Sequence, residues 1–182
     1  MKNFATILFV LVFVLTASLS FGQTYKKGVT NLNAGVSIGG LAGFYGESDF
    51  PPLSLGLQFG MHEKISVGGI IGYASSSYDL GFFGNNNYTW TYRYIIVGAR
   101  GEYHFVDVDV KDFDLYAGLT IGYNIVSVDE PSGYTGFYTA EASYLLYGFH
   151  AGGRYMFSNN IGAFAELGYG IGYFTIGLNV RL

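Results

Sequence analysis

Tyr173-Phe174-Thr175-Ile176-Gly177-Leu178-Asn179-Val180-Arg181-Leu182 closes the chain, and its alternation decides the fold. Successive side chains of a strand point to opposite faces. Phe174, Ile176, Leu178, Val180 and Leu182 therefore share one face, and Tyr173, Thr175, Gly177, Asn179 and Arg181 share the other. The first face is apolar throughout; the second is polar or bare.

The same alternation recurs upstream. Leu32 to Gly40, Ile65 to Tyr73, Leu115 to Tyr123 and Ile161 to Tyr169 align without gaps, and the eighth position is glycine in each: Gly39, Gly72, Gly122 and Gly168. Their apolar positions read Leu-Ala-Val-Ile-Gly, Ile-Val-Gly-Ile-Tyr, Leu-Ala-Leu-Ile-Tyr and Ile-Ala-Ala-Leu-Tyr. Nine residues is the length of a tilted strand crossing a bilayer, about 9 to 11. Tyrosine at the end of three apolar faces matches an aromatic girdle at a membrane interface. Leu53 to Met61, about Ile95 to Phe105, about Leu145 to Phe157 and the terminal stretch alternate in the same way. Eight strands result.

The connections alternate too. Leu41 to Pro52, Ala74 to Tyr94 and Asn124 to Tyr144 are long; His62 to Lys64, Val106 to Asp114 and Ser158 to Asn160 are short, and Gly170 to Gly172 marks a tight hairpin. Pro51, Pro52 and Pro131 fall in the long connections, where a missing ladder donor is harmless. The expected architecture is all-β: an eight-stranded antiparallel transmembrane β-barrel, an up-and-down meander with long outer loops and short inner turns.

Composition agrees. The 182 residues are 50% hydrophobic, 19% aromatic and only 12% charged, against the roughly 25% charged of a soluble domain. A formal charge of −4 argues against a nucleic-acid partner. With no cysteine there is no disulfide and no thiolate site. Residues 1–22 read as a signal peptide: Lys2 supplies the positive end, Ile7 to Leu15 is wholly apolar, and Ser20-Phe21-Gly22 places small residues for cleavage before Gln23. That apolar run is too short for the ~20 residues of a spanning helix. Residues 23–30 form a polar linker, and the barrel domain covers 31–182.

Alternation alone also permits a soluble barrel with an apolar interior, and the charges decide between the two. Arg100, Glu102, His104, His150, Arg154, Glu166 and Arg181 lie on the face opposite the large aliphatic residues, with Asn33, Gln58 and Asn179. Turning that face to lipid would cost ~2 to 4 kcal/mol for each arginine near the midplane. The polar face looks inward, where an eight-stranded barrel has room only for side chains, and buried charges must be paired. Glu102 and Glu166 are expected to neutralise some of Arg100, Arg154 and Arg181. The seven residues form the candidate lumenal polar network.

No constellation for covalent or metal chemistry stands out. None of the three histidines falls in a long loop, so Ser75, Ser76 and Ser77 have no base nearby and read as solvated loop serines. Val106 to Asp114 is rich in carboxylates but lacks the glycine and terminal glutamate of a calcium loop, and reads as a solvated hairpin end. Asn85 to Tyr88 and Tyr134 to Tyr138 look like loop tips, where tyrosine offers contact area at low entropic cost. No catalytic residue, cofactor or metal is expected.

Thr175, Gly177, Val180 and Leu182, in the order polar, any, Gly, any, any, apolar, any, apolar, resemble the C-terminal assembly signal of outer-membrane barrels. With the leader, the eight glycine- and aromatic-rich strands and the long outer loops, Asn31 to Leu182 resembles the outer-membrane protein β-barrel family, the OmpA/OmpX-like barrels. The chain ends in Leu182 where many members end in Phe, and the likeness to the OmpA type stops at the barrel. The resemblance implies a small integral protein of the cell outer membrane, delivered by periplasmic chaperones, inserted by the barrel-assembly machinery and surrounded by outer-membrane lipid. With no catalytic constellation in the sequence, the leading expectation is a non-enzymatic structural or surface-interaction role, with an extracellular ligand met through the loops. The alternatives are a narrow conduit for ions or small hydrophobic molecules, and a lipid-modifying enzyme.

Overall fold

A computed structural model describes residues 25–39, 47–81, 87–105, 112–129 and 143–182. The leader 1–22, the tips Asn85-Asn86 and Tyr134 to Tyr138, most of Val106 to Asp114, and Pro131 lie outside them. Eight strands follow one another: β1 (Thr30–Ile38), β2 (Glu47–His62), β3 (Ile65–Gly81), β4 (Asn87–His104), β5 (Phe113–Asp129), β6 (Tyr144–Met156), β7 (Ile161–Tyr169) and β8 (Phe174–Arg181). Each pairs with the next, and β8 returns to β1 to close the barrel. The closing pair is antiparallel, with Leu32 opposite Val180 and Ala34 opposite Leu178. The meander expected from the alternation is the observed architecture.

The faces are inverted relative to a water-soluble protein. Leu119, Leu167 and Leu182 are 70%, 65% and 71% exposed, while Arg154, Glu102 and Asn179 are 1%, 2% and 0% exposed. Apolar side chains form a continuous outer belt, bounded at one rim by Tyr73, Tyr123, Tyr169 and Tyr173 and at the other by Phe59, Tyr103, Phe105, Tyr155 and Phe157, all exposed. Neighbours along the rims touch: Tyr103 meets Phe105 edge-on at 5.3 Å and Tyr155 meets Phe157 at 5.7 Å. From Ile65 to Tyr73 the belt is nine residues tall, the span of a tilted strand through a bilayer core.

Two expectations need correction. β2 to β5 run for 16, 17, 18 and 17 residues, so much of the three long connections is strand: Glu47 to Pro52, Ala74 to Gly81, Asn87 to Tyr94 and Asn124 to Asp129. Above the belt the outward positions become Ser77, Asp79, Thr91, Arg93, Ser127 and Asp129, and the apolar alternation disappears. The ladder does not need it, and Asp79 still pairs with Thr89. Pro51 and Pro52 accordingly sit in β2, beyond the last β1 partner at Leu53, where a register shift between Phe50 and Leu53 takes both out of the β3 ladder. The barrel is therefore lopsided, with a tall wall on β2 to β5 and a low one on β7, β8 and β1.

The low side closes tightly. Gly170 has φ +126° in the β7–β8 turn, a value that only glycine adopts without strain. At the closing seam the Phe164 ring lies over Gly35 and Gly177, which face each other across β1 and β8. A side chain on Gly177 would strike the ring and the Ala34 carbonyl. Nearby, Ser37 Oγ and Thr175 Oγ1 are 2.8 Å apart and Asn179 Nδ2 donates to Asn33 Oδ1 at 2.7 Å.

Candidate functional site

The inward positions sort into two layers. At the end where the chain enters, β4, β5, β6 and β7 direct Arg100, Glu102, His104, Asp114, Tyr116, His150, Arg154 and Glu166 into the lumen, every one buried. Toward the tall rim, the same inward parity brings in Ala74, Trp90, Tyr92, Tyr94, Ile96 and Leu146, packed with Val126, Val128 and Ile171.

The charged layer is a closed ring of contacts. Arg100 spans its middle: Nε lies 3.1 Å from Glu102 Oε1 and donates to His150 Nε2 at 3.0 Å, while Nη2 pairs with Glu166 Oε2 at 2.8 Å. Tyr116 donates its hydroxyl to Glu166 Oε1 at 2.7 Å, and Arg154 stacks on the Tyr116 ring at 4.8 Å. Arg154 Nη1 donates to Asp114 Oδ2 at 2.6 Å, and Nη2 lies 4.0 Å from Glu102. Asp114 Oδ1 meets His104 Nδ1 at 2.8 Å, and His104 Nε2 meets Ser66 Oγ at 2.9 Å. Ser66 also reaches Glu102 Oε2 at 3.3 Å, and Gln58 donates to Glu102 Oε1 at 3.1 Å. Each carboxylate faces at least one cation or hydroxyl, the condition under which charge can be held out of water.

Of the seven residues singled out from the sequence, the structure brings six together: Arg100, Glu102, His104, His150, Arg154 and Glu166. Arg181 lies at the edge of this group at the end of β8, half-buried and within electrostatic reach of Arg154 and Asp114, its carbonyl accepting from Asn160 Nδ2 at 3.0 Å. Asp114 is a correction: assigned to a solvated hairpin end, it is the buried first inward position of β5. The ten-residue spacing to His104, its partner across the β4–β5 turn, is invisible in a carboxylate-rich run that reads as surface. Tyr116 shares its parity and could have been found from it. Ser75 and Ser76 are also corrected: both are buried in β3, and Ser75 donates to Asp49.

Ser66, His104 and Asp114 have the distances of a nucleophile, a base and its orienting carboxylate. The surroundings do not suit that chemistry. Glu102 stands beside Ser66 where negative charge would gather on an attacked carbonyl, and Tyr25 lies flat on His104. The three residues act here as links of the ring. Among the described residues no cluster of His, Asp and Glu has the arrangement of a metal site.

No family model and no curated protein sequence matches the chain. Solved structures do match. OprG from Pseudomonas aeruginosa superposes with a TM-score of 0.62 at 13% identity, over 88% of this chain and 98% of that one. The N-terminal β-barrel domain of Pseudomonas aeruginosa OprF gives 0.51 at 11% identity over 86% and 98%, and Ail, the attachment invasion locus protein of Yersinia pestis, 0.52 at 16% over 86% and 99%. The chain has the fold of the OmpA/OmpX-like outer-membrane barrels. At these identities the likeness extends to the strand meander and its closure, and not to the lumenal side chains. Among the described residues, the two buried layers line the lumen. Between the layers, beside Arg100, Thr120, Glu166 and Thr175, remains a cavity of about 30 Å³, room for roughly one water.

Proposed function

We propose that the protein is a small integral barrel of the outer membrane, non-enzymatic, with a structural or surface-interaction role and a lumen that does not conduct. The observation that carries this reading is the inverted surface: an exposed apolar belt between two aromatic rims, around an interior of paired charges. In water such a belt would drive aggregation; in a bilayer it is solvated by lipid tails. A leader removed on export and insertion by the barrel-assembly machinery through Thr175, Gly177, Val180 and Leu182 complete the reading.

In the expected orientation the termini lie on the periplasmic side, so the tall wall of β2 to β5 stands outside the cell. Its outer surface carries Ser77, Asp79, Arg93 and Asp129, with the Arg93–Asp129 ion pair exposed. A polar wall raised on a rigid scaffold is a surface for meeting an extracellular ligand. The two packed layers of buried side chains favour the closed lumen over the conduit reading.

The test is a pair of measurements on protein purified from the outer-membrane fraction. Unboiled and boiled samples are expected to migrate differently in detergent gels, and planar bilayers holding the protein to show no discrete conductance steps. Protein soluble without detergent would overturn the membrane reading; reproducible single-channel steps would overturn the closed lumen.

A further inference from the structure

The segment before β1, read from sequence as a polar linker, is not free. Tyr25 is 3% exposed and Val29 7%. The Tyr25 ring lies on His104 with centroids 3.4 Å apart and planes 3° from parallel, and its hydroxyl donates to the Ile65 carbonyl at 2.7 Å, with the His62 carbonyl 3.2 Å away. The backbone returns over β2: Gly28 N–H donates to Gly60 O and Gly60 N–H to Val29 O, both at 2.8 Å. Gly60 is the crossing point. A Cβ there would come within 2.9 Å of Lys26 O and 3.1 Å of both Tyr25 Oη and Val29 O.

This segment covers the charged ring at the entry end, since His104 beneath it is bound to both Asp114 and Ser66. It is held by one stacked ring and a few hydrogen bonds, whereas every strand is held by ladders on both sides. Elements with few contacts open first in a native protein. What it leaves on opening is a site of definite chemistry: a flat imidazole face to stack on and two backbone carbonyls to accept a hydroxyl. Such a site fits a phenol.

We propose that the entry mouth is a phenol-binding site whose resident ligand is the chain's own Tyr25, and that residues 25–29 act as a removable stopper over the charged ring. The ligand class is a phenolic ring, which in a partner would be a tyrosine on an extended segment. Burial and the nearby carboxylates of Asp114 and Glu102 push the Tyr25 phenol up to about 12, so the docked ring is neutral and its hydroxyl is a donor. That the mouth faces the periplasm rests on the outer-membrane reading; the stopper itself does not.

Diethyl pyrocarbonate modification, mapped by peptide mass in the detergent-solubilised barrel, tests it. His62 is exposed and serves as the internal standard. In the wild type His104 is expected to be protected. Tyr25→Ala, and separately Gly60→Val, which leaves Tyr25 in place but crowds the crossing, are expected to raise the rate at His104 roughly tenfold or more while heat-modifiability is retained. Added p-cresol is expected to restore protection in Tyr25→Ala, and toluene, which lacks the hydroxyl, to do so far less. His104 already reactive in the wild type, or still protected in both folded variants, overturns the stopper; p-cresol and toluene acting alike overturns the phenol site. Native-state hydrogen exchange of the wild type covers the case of variants that do not fold. The Gly28 and Gly60 amides exchange ahead of the β1–β8 ladder if the segment undocks by itself, and together with that ladder if it does not. Loss of heat-modifiability in the wild type would count against the membrane barrel and not against the stopper.

Discussion

The two layers of the lumen sit on the same inward parity of the same strands, yet they are held together by different physics. The lower one is a ring in which Arg100, Arg154, Glu102, Asp114 and Glu166 are buried and each faces an opposite charge. The upper one, Trp90, Tyr92, Tyr94, Ile96 and Leu146, is a mainly apolar layer in which the large side chains pack against one another. Parity decides only that a residue faces inward. Whether it is tolerated there depends, in the lower layer, on a specific partner, and in the upper layer on filled volume. The lower layer should therefore be brittle toward loss of one member, the upper one graded.

The largest effect is expected from Arg154→Met. It leaves the buried Asp114 carboxylate without its guanidinium, and breaking a buried pair in this way costs about 3 to 5 kcal/mol. Urea titration of the barrel refolded in lipid vesicles, followed by heat-modifiability, measures it; a loss under about 1 kcal/mol would erase the distinction between the layers. Leu146→Ala, in the upper layer, is expected to cost about 2 to 3 kcal/mol in the same titration, from lost apolar burial and the cavity left behind. A cost above that of Arg154→Met would reverse the order of the two layers. Smallest is Arg93→Ala. Its ion pair with Asp129 lies above the belt, with the two side chains 49% and 52% exposed, so the change is expected to stay below about 1 kcal/mol and to shrink further in salt.

Much of this was legible beforehand because a membrane barrel repeats one rule. The apolar belt of each strand could be placed from alternation, and the six ring members of β4, β6 and β7 from the fact that charge on the opposite face must avoid lipid. Where the rule stops, so did the reading. Trp90, Tyr92 and Tyr94 fell in an assumed loop because their outward neighbours Thr91 and Arg93 are polar, although the β3–β4 ladder runs on to Gly81 opposite Asn87. Asp114 was hidden among surface-like carboxylates. Tyr25 was hidden in a linker with no pattern at all, because a single stacked ring leaves no periodic trace.

By itself the sequence determined the number of strands, the face each turns outward and the sign of the interior, since all three follow from local alternation and the cost of charge in lipid. Only the tertiary structure decided which charges meet, that the upper lumen is mainly apolar, how far β2 to β5 rise above the belt, and that Tyr25 closes the mouth. Those depend on inter-strand register and on contacts between residues far apart in the chain, which a period of two does not encode.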